Sequence, residues 1–319
     1  MDILKYRELV HEHTKEFDAK KAIDAINEWL DDYLNSSNTK KVVLGISGGK
    51  DSTVVAKLLA DKMGSENVFG LLMPNGIQKD INDSVRVTEL LGIKYKVINI
   101  KNIYDTFLDT LGHEDGLVSY EAKVNLAPRI RMTTLYTFGQ THGCRVAGTG
   151  NLSELTLGYF TKHGDGAHDF NLIAGFTSLE VMRIGEELGL PLELVYKTPD
   201  DGLSGMSDEE KLGITYIDMH TYLRKNGAGI SNEVIEKIRK MEGYSRHKRA
   251  AEPTVDYAYC QVKLPDLGKP VEILTAWGQT IKAFLTRTSF YLEGVTFESI
   301  EDCSDIRISD IIEWREIKE

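Results

Sequence analysis

The stretch Gly45-Ile46-Ser47-Gly48-Gly49-Lys50-Asp51-Ser52 brings glycines, hydroxyls and a carboxylate together in one short loop. Such a set suits a bound phosphate. Glycines let backbone N–H groups approach phosphate oxygens, a following helix adds unpaired donors and a positive dipole end, and Ser47 and Ser52 supply hydroxyl donors. The more familiar phosphate loop carries Lys directly before Ser or Thr, and here Asp51 holds that place. A carboxylate repels bound phosphates unless a divalent cation lies between, so Asp51 is expected to be a Mg2+ ligand. A bare Ser-Gly-Gly would equally make an ordinary glycine turn with Asp51 at a helix N-terminus. Lys50 fills the variable place of the pattern and is read as having no special role.

The elements that must position this loop are legible as periodicity. Apolar residues at helical spacing predict a helix from Asp18 to Leu34, and Val42 to Ile46 reads as a buried strand ending at the loop. A helix is expected from Asp51, a second strand in Asn67 to Pro74, a second helix in Asp80 to Ile93 and a third strand at Tyr95 to Ile100. A long helix is expected to start at Pro128, since a first turn does not miss the proline N–H. Cys144 to Gly150 then reads as a fourth strand. Strands alternating with helices imply an α/β fold, a parallel sheet with helices on both faces. Helices are expected at Ser178–Leu188, Asp208–Leu212, Tyr216–Leu223 and Asn232–Met241. After Pro253, short β-prone runs separated by Gly or Pro predict a β-rich appendage, which divides the chain into domains 1–254 and 255–319.

Bulk properties narrow the function. The chain has 319 residues, 41% hydrophobic and 27% charged, as in a soluble globular protein. A net charge of −11 argues against a general nucleic-acid binder, while leaving room for an anionic small molecule held by a few local cations. No apolar run approaches the roughly 20 residues of a membrane helix, and the N-terminus offers no signal-peptide core. Cys144, Cys260 and Cys303 lack CxxC spacing and read as free thiols. Together these features predict a cytoplasmic protein that binds neither membrane nor nucleic acid. His163 and His168 have no partner cysteines at zinc spacing.

The loop resembles the signature of the N-type ATP pyrophosphatases, or PP-loop enzymes, which split ATP between its α- and β-phosphates and adenylate a substrate. Further blocks narrow the resemblance. Gly148–Phe170 (GTGNLSELTLGYFTKHGDGAHDF), Leu72–Asp83, Lys197–Tyr216 and Arg246–Arg249 follow one another as in the NAD synthetases. The resemblance covers residues 1 to 255 and includes no glutaminase domain, so it implies the ammonia-dependent form. It implies a Rossmann-like fold of the adenine nucleotide α-hydrolase type. It also implies ATP- and Mg2+-dependent conversion of deamido-NAD to NAD through an NAD-adenylate, with ammonia as the nitrogen donor. A homodimer is implied, because the family builds its dinucleotide site at the dimer interface; a separate glutaminase could supply the ammonia.

Residue by residue, the resemblance assigns Gly45, Ser47, Gly48, Gly49, Asp51, Ser52, Gln78 and Thr149 to ATP. Asp51 and Glu154 become the metal carboxylates, with Asp51 and Lys162 carrying the chemistry. Tyr33, Arg129, Phe160, Lys162, Asp169, His247 and Lys248 become contacts for deamido-NAD. Each has a plainer reading: Glu154 as a helix-surface glutamate, Arg129 as a solvated cation, and Asp169 as a turn residue. Likewise His247 and Lys248 could form a basic surface patch, and Tyr33 and Phe160 could be core aromatics. Arg131, on another helix face, is given no role. Three departures stand out: Ser178 where the family has an ATP-contacting lysine, Asp200 where Thr or Ser is common, and Leu72 in place of an arginine. Two other functions remain in view. One is another PP-loop adenylating enzyme of the tRNA thiolase or lysidine synthetase type, which should show a basic RNA-binding module or catalytic cysteines. The other is a nucleotide-binding regulatory protein with little turnover.

Overall fold

Val42, Val43 and Leu44 are fully buried, and successive side chains enter different cores: Val42 and Leu44 one, Val43 the other. A strand covered on both faces has this signature. It is β1 (Lys41–Gly45), preceded by α1 (Ile3–His13) and α2 (Ala19–Ser36). The chain continues through α3 (Lys50–Met63), β2 (Val68–Leu72), α4 (Ile81–Leu91), β3 (Lys94–Val97), α5 (Lys101–Thr110), α6 (Tyr120–His142) and β4 (Cys144–Gly148). Then come α7 (Leu152–Leu157), β5 (Phe170–Asn171), α8 (Ser178–Glu187), α9 (Leu192–Val195), α10 (Asp208–Leu212), α11 (Tyr216–Arg224) and α12 (Asn232–Arg249). This computed structural model describes residues 2–78, 81–112, 116–196 and 208–250, together with five strand segments between 270 and 316.

The strands form one parallel sheet in the order β3-β2-β1-β4-β5. From β1 the chain winds outward to β2 and β3, then returns through α5 and α6 to the far side of β1 as β4. The winding reverses between β1 and β4, and the crevice beyond their C-terminal ends is where such sheets take ligands. Helices α3, α4 and α8 cover one face, where Val54, Leu58, Val87, Leu179 and Met182 join the strands. The other face is covered by α5 and α6, through Leu108, Leu126 and Ile130. The two-faced parallel sheet expected from the sequence is therefore present.

Two helix boundaries differ from expectation. Helix α6 starts at Tyr120, because Ser119 accepts a bond from the Ala122 N–H at 3.2 Å and caps it; Pro128 lies inside the helix. Helix α12 runs on to Arg249. Helices α1 and α5 carry no expectation at all; each buries little, Tyr6 and Val10 in α1 and Leu108 in α5.

The chain divides into two units, Met1–Arg249 and Ala250–Glu319. The second is β-rich: β6 (Pro270–Thr275), β7 (Thr280–Arg287), β8 (Thr296–Ser299), β9 (Asp305–Arg307) and β10 (Ile311–Glu316) form an antiparallel sheet in the order β10-β6-β7-β8-β9. Val271, Ile273 and Ala283 are buried. The strand expected within Asp256–Leu264, like Cys260 and Cys303, lies outside the described residues.

Candidate active site

The chain leaves β1 at Gly45 and turns into α3 within four residues. Gly48 makes the turn with φ +79°, a conformation that side chains resist; an added Cβ would also come within 3.0 Å of the Ser84 backbone nitrogen on α4. Gly49 is the N-cap of α3 and offers no capping side chain. Inside the loop, the Ser47 and Ser52 hydroxyls lie 3.1 Å apart, and the Gly49 N–H donates to Ser47 Oγ at 3.2 Å. Ser52 and Thr53 both donate to the Gly49 carbonyl, at 3.1 and 2.8 Å. The result is a preformed turn at the positive end of a helix, a ready site for an anion.

Across the crevice, β4 ends in Thr149 and Gly150, and Asn151 caps α7. Its side chain accepts from the Ser153 and Glu154 N–H groups, while Glu154 Oε2 accepts from the Asn151 N–H at 3.0 Å. The sequence Asn-x-x-Glu before an apolar run is a readable capping box. This box does more than end a helix. The Asn151 amide also donates to Asp51 Oδ1 at 3.2 Å, linking the loops that follow β1 and β4. Lys50 donates to Asp51 Oδ2 at 2.8 Å and is itself buried, with its ammonium 5.1 Å from the centre of the Tyr216 ring. Burial lowers the Lys50 pKa, but the charges on Asp51 and Glu154 outweigh it and hold the ammonium above the usual lysine range. Burial and the Asp51 charge push the Glu154 carboxyl up to about 8. Two carboxylates facing each other around a cation are a donor set that fits Mg2+, which keeps several waters and takes only one or two protein carboxylates. No cluster of three or more His, Cys, Asp or Glu occurs among the described residues.

Lys50 thus corrects the sequence reading. It is the buried counter-charge of the site, and nothing in a variable motif position signals that. Asn151 is the other residue missed, although its capping box was visible.

Helix α7 is held from behind by the end of α12. Lys248 donates to the carbonyls of Gly158 and Phe160, both at 2.7 Å, and sits over the Phe160 ring. Arg249 donates to the carbonyls of Leu155 and Thr156. These are the last carbonyls of α7 and the turn after it, so the cations also meet the negative end of the helix dipole. Gly158 allows the approach: φ is +69°, and a Cβ there would lie 1.9 Å from Ser245 Cβ. Lys248 therefore commits two of its three donors to backbone, and burial lowers its pKa. His247, its neighbour, is exposed.

The remaining residues line a more open region. Arg129 is exposed on α6, its Nε 3.4 Å from the Lys162 carbonyl. The Lys162 side chain makes no hydrogen bond or ion pair to any described residue. Asp169 is pinned to β4, accepting from the Val146 N–H at 2.8 Å and donating its own N–H to the Val146 carbonyl at 2.9 Å. Tyr33 stacks on Trp29 and meets Phe170 at 4.7 Å; burial and then the Asp169 charge raise its hydroxyl pKa. Gln78 sits in the loop after β2, beside a fully exposed Ile77. Arg131 donates to the Met73 carbonyl at 2.9 Å and ties α6 to the end of β2. Leu72 is fully buried in the sheet. Ser178 is also buried; its N–H donates to Ser153 Oγ at 3.2 Å, and its hydroxyl has no partner among the described residues. Asp200 and the stretch 197–207 lie outside the described residues.

Comparison with known proteins adds a family to this geometry. The NAD synthase family model matches residues 22–252. An NH(3)-dependent NAD(+) synthetase of Archaeoglobus fulgidus is 38% identical over 240 residues, 73% of this chain and 96% of that protein. One from Thermococcus sibiricus is 39% identical over 248 residues, 74% of this chain and 96% of that protein. Among solved structures, NMN synthetase from Francisella tularensis superposes with a TM-score of 0.69 at 32% identity, over 76% of this chain and all of that one. An NH3-dependent NAD synthetase from Campylobacter jejuni gives 0.63 at 27% identity, over 75% of this chain and all of that one.

Proposed function

The chain belongs to the NAD synthase family, and from that premise we propose that it converts deamido-NAD to NAD with ATP and ammonia. AMP and pyrophosphate are the other products. The observation that carries the reading is the meeting of Ser47–Ser52 and Asn151–Glu154 across the strand-order reversal. In the first step a nicotinate carboxylate oxygen bonds to the α-phosphorus of ATP. The α–β bridge breaks and its electron pair leaves with pyrophosphate. Ammonia then adds to the acyl carbon, AMP departs with the electron pair of the C–O bond, and nitrogen loses a proton. Charge neutralisation and positioning account for most of such a reaction.

The loop residues Gly45, Ser47, Gly48, Gly49 and Ser52 receive the phosphates, with Gln78 and Thr149 at the rest of ATP. Mg2+ held by Asp51 and Glu154 would neutralise phosphate charge as pyrophosphate leaves. Lys162, uncommitted to any described partner, is assigned to the developing charge of the adenylate. Arg129, Asp169 and His247 are assigned to deamido-NAD, with the rings of Tyr33 and Phe160 and the remaining Lys248 donor.

The reading extends to a homodimer. Ile103, Phe107 and Leu111 recur at helical spacing on α5 and are each about half exposed, and Tyr120 and Val124 near the start of α6 are exposed as well. These side chains are the apolar surface that a second copy would cover. A sedimentation measurement that finds only monomer would remove the dimer. Catalysis is assigned to residues 1–254 in the cytoplasm, with 255–319 an extension and free ammonia or a separate glutaminase as nitrogen source; the family match to 22–252 supports the division. The Francisella structure favours one second reading, in which the mononucleotide is amidated instead.

Turnover with ATP, Mg2+ and ammonium tests these readings, deamido-NAD and nicotinate mononucleotide being offered in turn. The expected result is equal NAD and AMP, and no AMP without acceptor. Faster turnover of the mononucleotide would shift the substrate assignment, and tight ATP binding without turnover would make the chain a nucleotide sensor.

A further inference from the structure

In the proposed reaction Lys50 has no substrate to touch, yet four helices are arranged around it. Its residue is 4% exposed and its ammonium contacts Asp51 from α3 itself. Glu154 on α7 is its next charged neighbour, and the Tyr216 ring of α11 lies beneath it. Tyr6 of α1 lies within electrostatic reach of the ammonium; burial, with Glu209 adding to it and Lys50 opposing, pushes the Tyr6 hydroxyl up to about 12. Glu209 in turn accepts from the Tyr216 N–H at 2.7 Å. An ammonium is costly to bury unless it is paired. The pairing here is with the same Asp51 carboxylate that the proposed reaction gives to Mg2+.

We infer that Lys50 is a positioning residue for the metal site, a fixed cation that holds Asp51 and Glu154 in place whenever no divalent cation is bound. The inference rests on the proposed assignment of Asp51 and Glu154 as Mg2+ ligands. Without a counter-charge, two carboxylates bridged by a single asparagine would repel one another and separate. Lys50 occupies Asp51 Oδ2 and Asn151 occupies Oδ1, so the carboxylate keeps one orientation before metal arrives. Each oxygen retains a second lone pair for a metal. Burial distinguishes this lysine from one that reaches out to a phosphate. It also distinguishes its effect from filler: a lysine that only packs is worth the same with or without Mg2+.

The test is the melting temperature of wild type and Lys50→Met, each in EDTA and in saturating Mg2+. In EDTA the variant should melt about 5–10 °C lower, because one partner of a buried ion pair has gone. Mg2+ should close most of that gap, and the double variant Lys50→Met/Asp51→Asn should show no such recovery. Lys50→Gln keeps a hydrogen-bond donor without the charge and should behave as Lys50→Met does. If both single variants are insoluble in EDTA, recovery of soluble protein only when Mg2+ is present supports the inference. Insolubility under both conditions contradicts it. A gap of equal size with and without Mg2+ also overturns it. The Mg2+ dependence of wild-type turnover separates that failure from the other. If turnover needs Mg2+ and Asp51→Asn raises the requirement, the metal assignment stands and only the role of Lys50 falls. If turnover ignores Mg2+, the metal assignment fails and takes the inference with it.

Discussion

The two lips of the crevice are built in different ways. At the lip assigned to ATP, the Ser47–Ser52 turn is closed by its own hydrogen bonds, and Lys50, Asp51, Asn151 and Glu154 form a bonded network beside it. At the acceptor lip, Arg129, Lys162 and His247 have few bonds or none within the described residues, and two of them are exposed. Rigidity is thus concentrated where the proposed reaction receives pyrophosphate. Of the residues assigned to the acceptor, Asp169 and Lys248 are already bonded to backbone, whereas Arg129, Lys162 and His247 are largely uncommitted among the described residues. The difference suggests a division of labour: the first lip lowers the barrier, the second chooses the substrate.

The largest effect should come from cutting the network at its centre. Asp51→Asn keeps the shape but loses the charge, and turnover should fall about 10²–10³-fold. A loss below tenfold would mean the ATP lip does not depend on this carboxylate. Next is the clamp behind α7. Gly158→Ala forces a Cβ toward Ser245 at a positive φ, and the cost should be about 2–4 kcal/mol, read as a fall in melting temperature of roughly 5–10 °C. An unchanged melting temperature would show that α12 gives way easily.

The comparison is sharpened by neighbours on α12. His247→Ala should raise the KM for the acceptor several-fold, about 1 kcal/mol of binding, with melting temperature unchanged. Lys248→Met removes two bonds to backbone carbonyls and should lower the melting temperature by a few degrees. If the two variants behave alike, the basic end of α12 is not divided between binding and bracing.

A further modest effect concerns acid. Burial would raise the Glu186 carboxyl, but hydrogen bonds from Arg7, Tyr196 and His11 outweigh it and hold the group at about 2, below its ordinary 4.5. A carboxylate depressed on folding stabilises the fold above its unfolded pKa, and that contribution is lost as pH falls from 4.5 toward 2. Partial exposure of Arg7 and His11 limits it to about 1–2 kcal/mol. Glu186→Gln should therefore melt slightly lower at neutral pH and lose part of the wild-type decline between those values. Parallel pH curves for both proteins would remove the effect.

These contrasts also explain what was readable in the sequence. The turn after β1 and its helix were legible because loop, cap and apolar run are contiguous in the chain. The parallel sheet was legible because buried strands alternate with amphipathic helices. Lys50 was not, since its partners Glu154 and Tyr216 come from distant segments and its motif position carries no rule. Lys248 reads as part of a surface patch with His247 because its partners are the backbone carbonyls of Gly158 and Phe160, which leave no trace in side-chain pattern. In α6, Pro128 is a more conspicuous signal in the sequence than the Ser119 cap that sets the helix start.

The central claim is that the loop after β1 drives attack of a nicotinate carboxylate on the α-phosphorus of ATP. Deamido-NAD labelled with 18O in both carboxylate oxygens tests it directly, with AMP and pyrophosphate analysed by mass spectrometry. The account predicts one labelled oxygen in each AMP, one in the new amide and none in pyrophosphate. Label in pyrophosphate or free phosphate, or AMP without label, would contradict it.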